Sequence, residues 1–121
     1  MNYDELKAGR EADAMVAEKI MGWFPPSHKQ TKAVRQNERL MHSTYDSWWC
    51  DSENKLQPYL PPSSTDKIIA IALLDSWEGE YQIARLHGQY ICDLYRDSKE
   101  WHGYGPTFEL AVCRTRLKAA S

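Results

Sequence analysis

The 121-residue sequence predicts an α+β fold, and three observations carry that expectation. Apolar residues recur at helical spacing in three segments: near the amino terminus, after residue 66, and at the carboxyl end. Between the second and third, two runs of alternating character flank Gly88, the pattern of a β-hairpin. With 42% hydrophobic residues, a chain of this length can bury one core without disulfides or metal, so a single domain over residues 1–121 is expected.

The first helix is expected over residues 10–21. Ala12, Met15, Val16, Lys19 and Ile20 follow i, i+3, i+4, i+7, i+8 spacing, with the aliphatic stem of Lys19 lining the core edge. Asn2 and Glu5 resemble a capping box ahead of it. Gly22 suits the left-handed position after a helix end, and Pro25-Pro26 forbid continuation. Residues 27–44 are polar, with Lys29, Lys32, Arg35 and Arg39 against Glu38. They read as a solvated loop or a short exposed helix. The sharper alternative is a phosphate-facing patch, since Lys32, Arg35 and Arg39 would share one helical face. Residues 45–51 form a short aromatic strand, and residues 52–62, with Pro58, Pro61 and Pro62, a loop.

Ser64-Thr65-Asp66 starts the second helix, with Ile69, Ala72, Leu73, Ser76 and Trp77 as its stripe and Gly79 closing it. A tight His87-Gly88 turn then pairs Leu86 with Gln89 and Ile83 with Cys92. That register puts Tyr81, Ile83, Arg85, Tyr90, Cys92 and Leu94 on one face, the better core face. Gln82, Ala84, Leu86, Ile91, Asp93 and Tyr95 fall on the other. Asp97-Ser98 turns the chain into a third strand over residues 100–104, ended by Gly105-Pro106. Thr107 caps the last helix, whose stripe is Leu110, Cys113, Leu117 and Ala120. Glu109 near its start and Arg114, Arg116 and Lys118 near its end match the helix dipole. The expected order is helix, strand, helix, three-stranded antiparallel meander, helix.

Charge narrows the partners. Fifteen basic and seventeen acidic residues leave a net charge of -2, spread evenly along the chain. A nucleic-acid binder relies on a basic excess to neutralise phosphates, so nucleic acid is not an expected partner. No apolar run approaches the length that spans a bilayer, and Met1-Asn2-Tyr3-Asp4-Glu5 carries no basic or apolar leader pattern. A cytoplasmic location and no membrane partner are expected. Cys50, Cys92 and Cys113 lie in apolar or aromatic stretches without a C-x-x-C pair, and read as free, buried thiols.

Catalytic chemistry has no motif behind it. There is no P-loop, G-x-G-x-x-G or H-E-x-x-H, and His28, His42, His87 and His102 have no i, i+4 partner. No catalytic residue, metal ligand or cofactor is assigned, and the chain is expected not to be an enzyme. Asp93, Asp97 and Glu100 form a candidate carboxylate cluster whose plainer reading is solvent-facing strand and turn residues.

Aromatic content is the unusual feature, with five tryptophans and seven tyrosines. In extended chain, Trp48 and Trp49 must point oppositely, so one of them faces a second layer, a partner or a ligand. Arg85, Arg96, Arg114 and Arg116 lie in the same half as Trp101. Indole faces for stacking and guanidinium forks for phosphate are what a nucleotide site requires. The candidate ligand-binding residues are therefore Trp48, Trp49, Arg85, Arg96, Trp101 and Arg114. The competing reading is a small core and a homo-oligomer interface, where Trp and Arg are also enriched.

Three stretches resemble the phage ABA-sandwich domain family. They are residues 10–23, ending Met21-Gly22-Trp23; Pro62-Ser63-Ser64-Thr65-Asp66 and its Ile/Ala-rich helix; and residues 106–119, from Pro106-Thr107-Phe108 to Ala119. Ser63 stands where the family usually has tyrosine. Residues 24–61 are longer and more basic than the family pattern and read as a variable, partly irregular insertion. The resemblance implies an α/β/α sandwich and a phage origin, and brings no catalytic motif. With the Trp/Arg set, it suggests a non-enzymatic binding protein of the infected bacterial cell, most concretely a decoy that sequesters a nucleotide-derived immune signal. The alternative partner is a host or phage protein, with Trp48 or Trp49 as anchor. An exposed apolar patch without an arginine-lined concavity would favour that alternative. A double-stranded RNA-binding-like domain is the third reading, and Glu109 stands where it needs positive charge.

Overall fold

The computed structural model describes residues 2–37 and 47–121. A 3-10 turn, Tyr3–Glu5, leads to α1 (Arg10–Lys19) and α2 (Lys29–Asn37). The hairpin strands β1 (Trp49–Cys50) and β2 (Leu56–Gln57) follow, then α3 (Lys67–Asp75). The chain closes with β3 (Glu80–Leu86), β4 (Gln89–Arg96), β5 (Lys99–Gly105) and α4 (Phe108–Ala119). The fold is α+β, with a β3-β4-β5 antiparallel meander and a separate β1-β2 pair.

Turn chemistry sets the meander. His87 and Gly88 both take positive φ, as do Asp97 and Ser98, the conformation that two-residue hairpin loops need to follow strand twist. The first turn pairs Leu86 with Gln89 and Ile83 with Cys92, as expected, and the second pairs Asp93 with His102 and Leu94 with Trp101. Cys92 and Leu94 on the expected core face are fully buried beneath α4.

The last helix is the centre of the molecule rather than a one-sided cover. It lies on β4 and β5 while α1 and α3 pack on its outer side. Leu110, Cys113 and Leu117 of the expected stripe are buried, and so are Ala111, Val112, Arg114 and Thr115, whereas Ala120 is exposed. A helix with neighbours on both sides buries most of its circumference. Of the α/β/α layering, the described residues supply the sheet and helices on one face, and nothing described covers the other.

Local capping explains the helix starts. Asp66 Oδ1 accepts from the Ile68 and Ile69 amides, so α3 begins where expected. Its buried face is Ala70, Leu73, Leu74 and Trp77, one step round from the expected stripe: Ile69 is half-buried, and Ala72 and Ser76 are exposed. In an Ile/Ala/Leu-rich helix several apolar faces compete, and packing chooses among them. Helix α1 starts at Gly9, which has no side chain to cap it. Ser64 supplies that function from across the fold, accepting from the Gly9 amide at 2.9 Å and donating to buried Asp13 at 2.7 Å. The α1 end comes two residues earlier than expected, with Gly22 in the left-handed region.

Residues of the insertion make a satellite beside this core. Phe24 pairs with Cys50, and Thr31 Oγ1 donates to the Phe24 carbonyl. Thr31 and Val34 of α2 are buried, so this helix is not merely solvated. The aromatic strand is limited to Trp49–Cys50, and the expected loop contains β2. Glu38, Arg39, His42, Tyr45 and Asp46 lie outside the described residues.

Candidate functional site

Strand pleating sends alternate residues of the meander to the open face in cross-strand rows: Glu80–Tyr95–Glu100, Gln82–Asp93–His102 and Ala84–Ile91–Tyr104. These rows divide the face into a polar and an apolar half. In the middle row His102 Nδ1 lies 2.7 Å from Asp93 Oδ1, its direct partner on β4. His102 Nε2 lies 3.3 Å from Glu100 Oε2, two residues back on the same strand and therefore on the same face. The hydrogen bond to Asp93 raises the His102 pKa above its ordinary 6.5, and Glu100 adds to the rise against a desolvation cost. Once protonated, an imidazole held at both nitrogens is a fixed donor and a poor general base.

Next to this cluster the surface is apolar. Leu86 is 56% exposed and Tyr104 is 52% exposed, and with Ile91 and Gln89 they border a shallow hollow of about 400 Å³. At the opposite end, a hollow of about 390 Å³ beside the β4-β5 turn is lined by Glu78, Glu80, Asp97 and Glu100 together with Arg96 and Lys99. Four carboxylates against two cations disfavour a phosphate there.

The six ligand-binding candidates do not meet in one place. Trp49 is buried in β1 and Trp48 is half-buried beside it, on the satellite. Arg85 lies 5.4 Å over the ring of Tyr90. Arg114 is buried, donating from Nε and Nη2 to the Leu6 carbonyl and from Nη1 to the Tyr104 carbonyl, so its fork is engaged by main chain. Only Arg96 and Trp101 come together, with two residues outside the expected set, Trp77 and Arg116. Trp77 and Trp101 meet edge to face at 5.5 Å. Arg96 stacks 4.6 Å over Trp77 and 5.8 Å over Trp101, and Arg116 lies 5.2 Å over Trp77. Guanidinium groups of the chain itself thus lie over the Trp77 ring. Arg116 is held further by the Leu73 carbonyl.

His102 is what the carboxylate reading missed. The signal was present, because a two-residue Asp97-Ser98 turn necessarily sets Asp93 opposite His102. Cys92 and Cys113 are buried, which pushes their thiols up to about 11 and about 12, so neither is a thiolate near neutral pH. Among the described residues no group of three or more His, Cys, Asp or Glu could hold a metal ion, and no helix is long and apolar enough to cross a membrane. No protein-family model matches the chain, and neither does any curated protein or solved structure.

Proposed function

We propose that this chain is a non-enzymatic binding protein that docks another protein on the open face of its meander. One observation carries the reading: the exposed Leu86 and Tyr104, with the half-buried Ile91 between them, adjoin the Asp93–His102–Glu100 cluster on an uncovered sheet face. Apolar groups anchor an interface and charged groups at its rim select the partner. The chemistry fits a protein segment with an apolar anchor and a basic flank. The scatter of the six expected ligand residues, the Trp77 ring already covered by Arg96 and Arg116, and the acidic wall beside Arg96 favour a protein over a nucleotide as ligand. The resemblance in residues 10–23, 62–66 and 106–119 suggests a phage protein acting in the bacterial cytoplasm.

The test is quantitative affinity capture from infected cells with wild type, Ile91→Asp, Tyr104→Asp and Arg96→Ala. A partner lost with the two open-face variants and kept with Arg96→Ala is the expected result. Capture insensitive to Ile91→Asp and Tyr104→Asp overturns the reading. A retained phosphate-bearing small molecule, lost with Arg96→Ala, overturns it in favour of nucleotide sequestration.

A further inference from the structure

The rest of the chain treats the two long edges of the meander differently. With both hairpin turns two residues long, the antiparallel ladder aims the outward main-chain groups of Glu100, His102 and Tyr104 away from β5. Those of Tyr81, Ile83 and Arg85 are aimed away from β3. On β5, helix α4 supplies partners: Lys118 Nζ donates to the His102 carbonyl at 2.6 Å, and Arg114 Nη1 to the Tyr104 carbonyl at 2.8 Å. Among the described residues no side chain does this for the outward groups of Tyr81, Ile83 and Arg85; Trp77 Nε1 reaches β3 only at the Glu80 carbonyl. Its register runs without a bulge from Glu80 to Leu86 and it contains no proline, so two common devices that blunt a free edge are missing.

We propose that β3 pairs with β3 of a second copy of this chain, antiparallel about a two-fold axis at Ile83, to give a continuous six-stranded sheet. Self-complementarity identifies the occupant. That axis sets Tyr81 opposite Arg85 of the second copy, Gln82 opposite Ala84 and Glu80 opposite Leu86. All outward N–H and C=O groups of Tyr81, Ile83 and Arg85 are then used in both copies. No like charges meet, and the 47% exposed Tyr81 offers its ring to a guanidinium. Moving the axis to Arg85 would set two guanidinium groups against each other. A peptide of unrelated sequence would gain the main-chain bonds without these side-chain pairs. The pairing uses the edge of the sheet and leaves the open face free, so it stands apart from the docking reading.

Sedimentation equilibrium on the purified chain, over two decades of concentration, tests it. Arg85→Pro removes an outward N–H while leaving the β3-β4 ladder intact, a position where an edge strand tolerates proline. The expected result is a wild-type dimer whose dissociation constant rises on the order of tenfold or more in Arg85→Pro, with an unchanged circular dichroism spectrum. Should that variant fail to fold, register decides. Gln82 and Ala84 of the second copy form a close, non-hydrogen-bonded pair, so mixed Gln82→Cys and Ala84→Cys chains should cross-link on mild oxidation. A wild type that stays monomeric, a dimer that Arg85→Pro leaves intact, or a mixture that does not cross-link overturns the proposal. Ile91→Asp should leave the dimer unchanged, which separates this failure from that of the open-face reading.

Discussion

Arg114 donates to the Leu6 carbonyl from Nε at 2.9 Å and Nη2 at 2.7 Å, joining the last helix to the N-terminal segment across 108 positions of sequence. The same guanidinium reaches the Tyr104 carbonyl through Nη1. It therefore ties the segment after the 3-10 turn, the edge strand and the central helix together in a buried position. Arg114→Met keeps the aliphatic stem and removes all three bonds. The Leu6 carbonyl is then left buried without these donors, whereas the Tyr104 carbonyl is only part-buried, so the expected loss is about 2 kcal/mol in urea unfolding. Amide exchange over residues 2–9 should accelerate more than exchange in β4. A change below about 0.5 kcal/mol would show that Arg114 is not the tie described.

Two adjacent serines should respond with opposite sign. Ser64 Oγ donates to Asp13, and Asp13 Oδ1 also accepts from the Ser64 amide at 2.8 Å. Ser64→Ala leaves a buried carboxylate short of one donor and the Gly9 amide uncapped, at a cost of about 2 kcal/mol. Ser63 is fully buried and its hydroxyl has no partner among the described residues. Ser63→Ala removes an unsatisfied polar group and should be neutral or stabilising by up to about 1 kcal/mol. Thermal melts of the two variants check this, and equal destabilisation would refute it.

The meander was legible because its information is local. His87-Gly88 and Asp97-Ser98 are turn dipeptides, and once each loop is two residues long every cross-strand pair follows. Asp66 as a cap is local in the same way. What escaped depends on tertiary choice. The buried face of α3 was one residue out because Ile68, Ile69, Ile71 and Ala72 are as apolar as the residues that pack. Helix α4 looked one-sided because nothing in its own sequence states that α1 and α3 will cover its outer surface. Arg114 looked like a free phosphate ligand for the same reason: its partners are main-chain carbonyls of Leu6 and Tyr104, which carry no residue-type signature.

Close approach of β5 to α4 rests on Gly103. A Cβ there would collide with Thr115 Oγ1 and sit 3.2 Å from the Thr115 amide nitrogen. Thr115 Oγ1 is itself 2.8 Å from the Ala111 carbonyl and 3.2 Å from that of Cys92. Gly103→Ala should cost about 2 kcal/mol by forcing helix and strand apart. Thr115→Ala removes the worst collision but not the main-chain contact. A double-mutant cycle should therefore give a favourable coupling of about 1 kcal/mol, and strict additivity would contradict the packing argument.

His102 makes the open face sensitive to pH. Its pKa is raised in the folded chain, while an unfolded histidine titrates near 6.5. Folding therefore gains from the held proton below that value, and the gain is lost as pH rises through the folded pKa. The His102 side chain is 54% exposed, so solvent screening keeps the energy small and the titration midpoint is the better readout. Asp93, Glu100 and Tyr95 face the ring, and Lys118 contacts the His102 carbonyl from the edge. Proton NMR of the His102 ring should give a midpoint above 6.5. Asp93→Asn should bring it down toward the ordinary value, and Glu100→Gln should do so by less, because its contact is 3.3 Å against 2.7 Å. Tyr95→Phe removes no hydrogen bond to the ring and should leave the midpoint raised. A wild-type midpoint at the ordinary value, or one indifferent to Asp93→Asn, would show that the Asp93 contact does not hold the ring proton, and the pH sensitivity argued for the open face would fall with it.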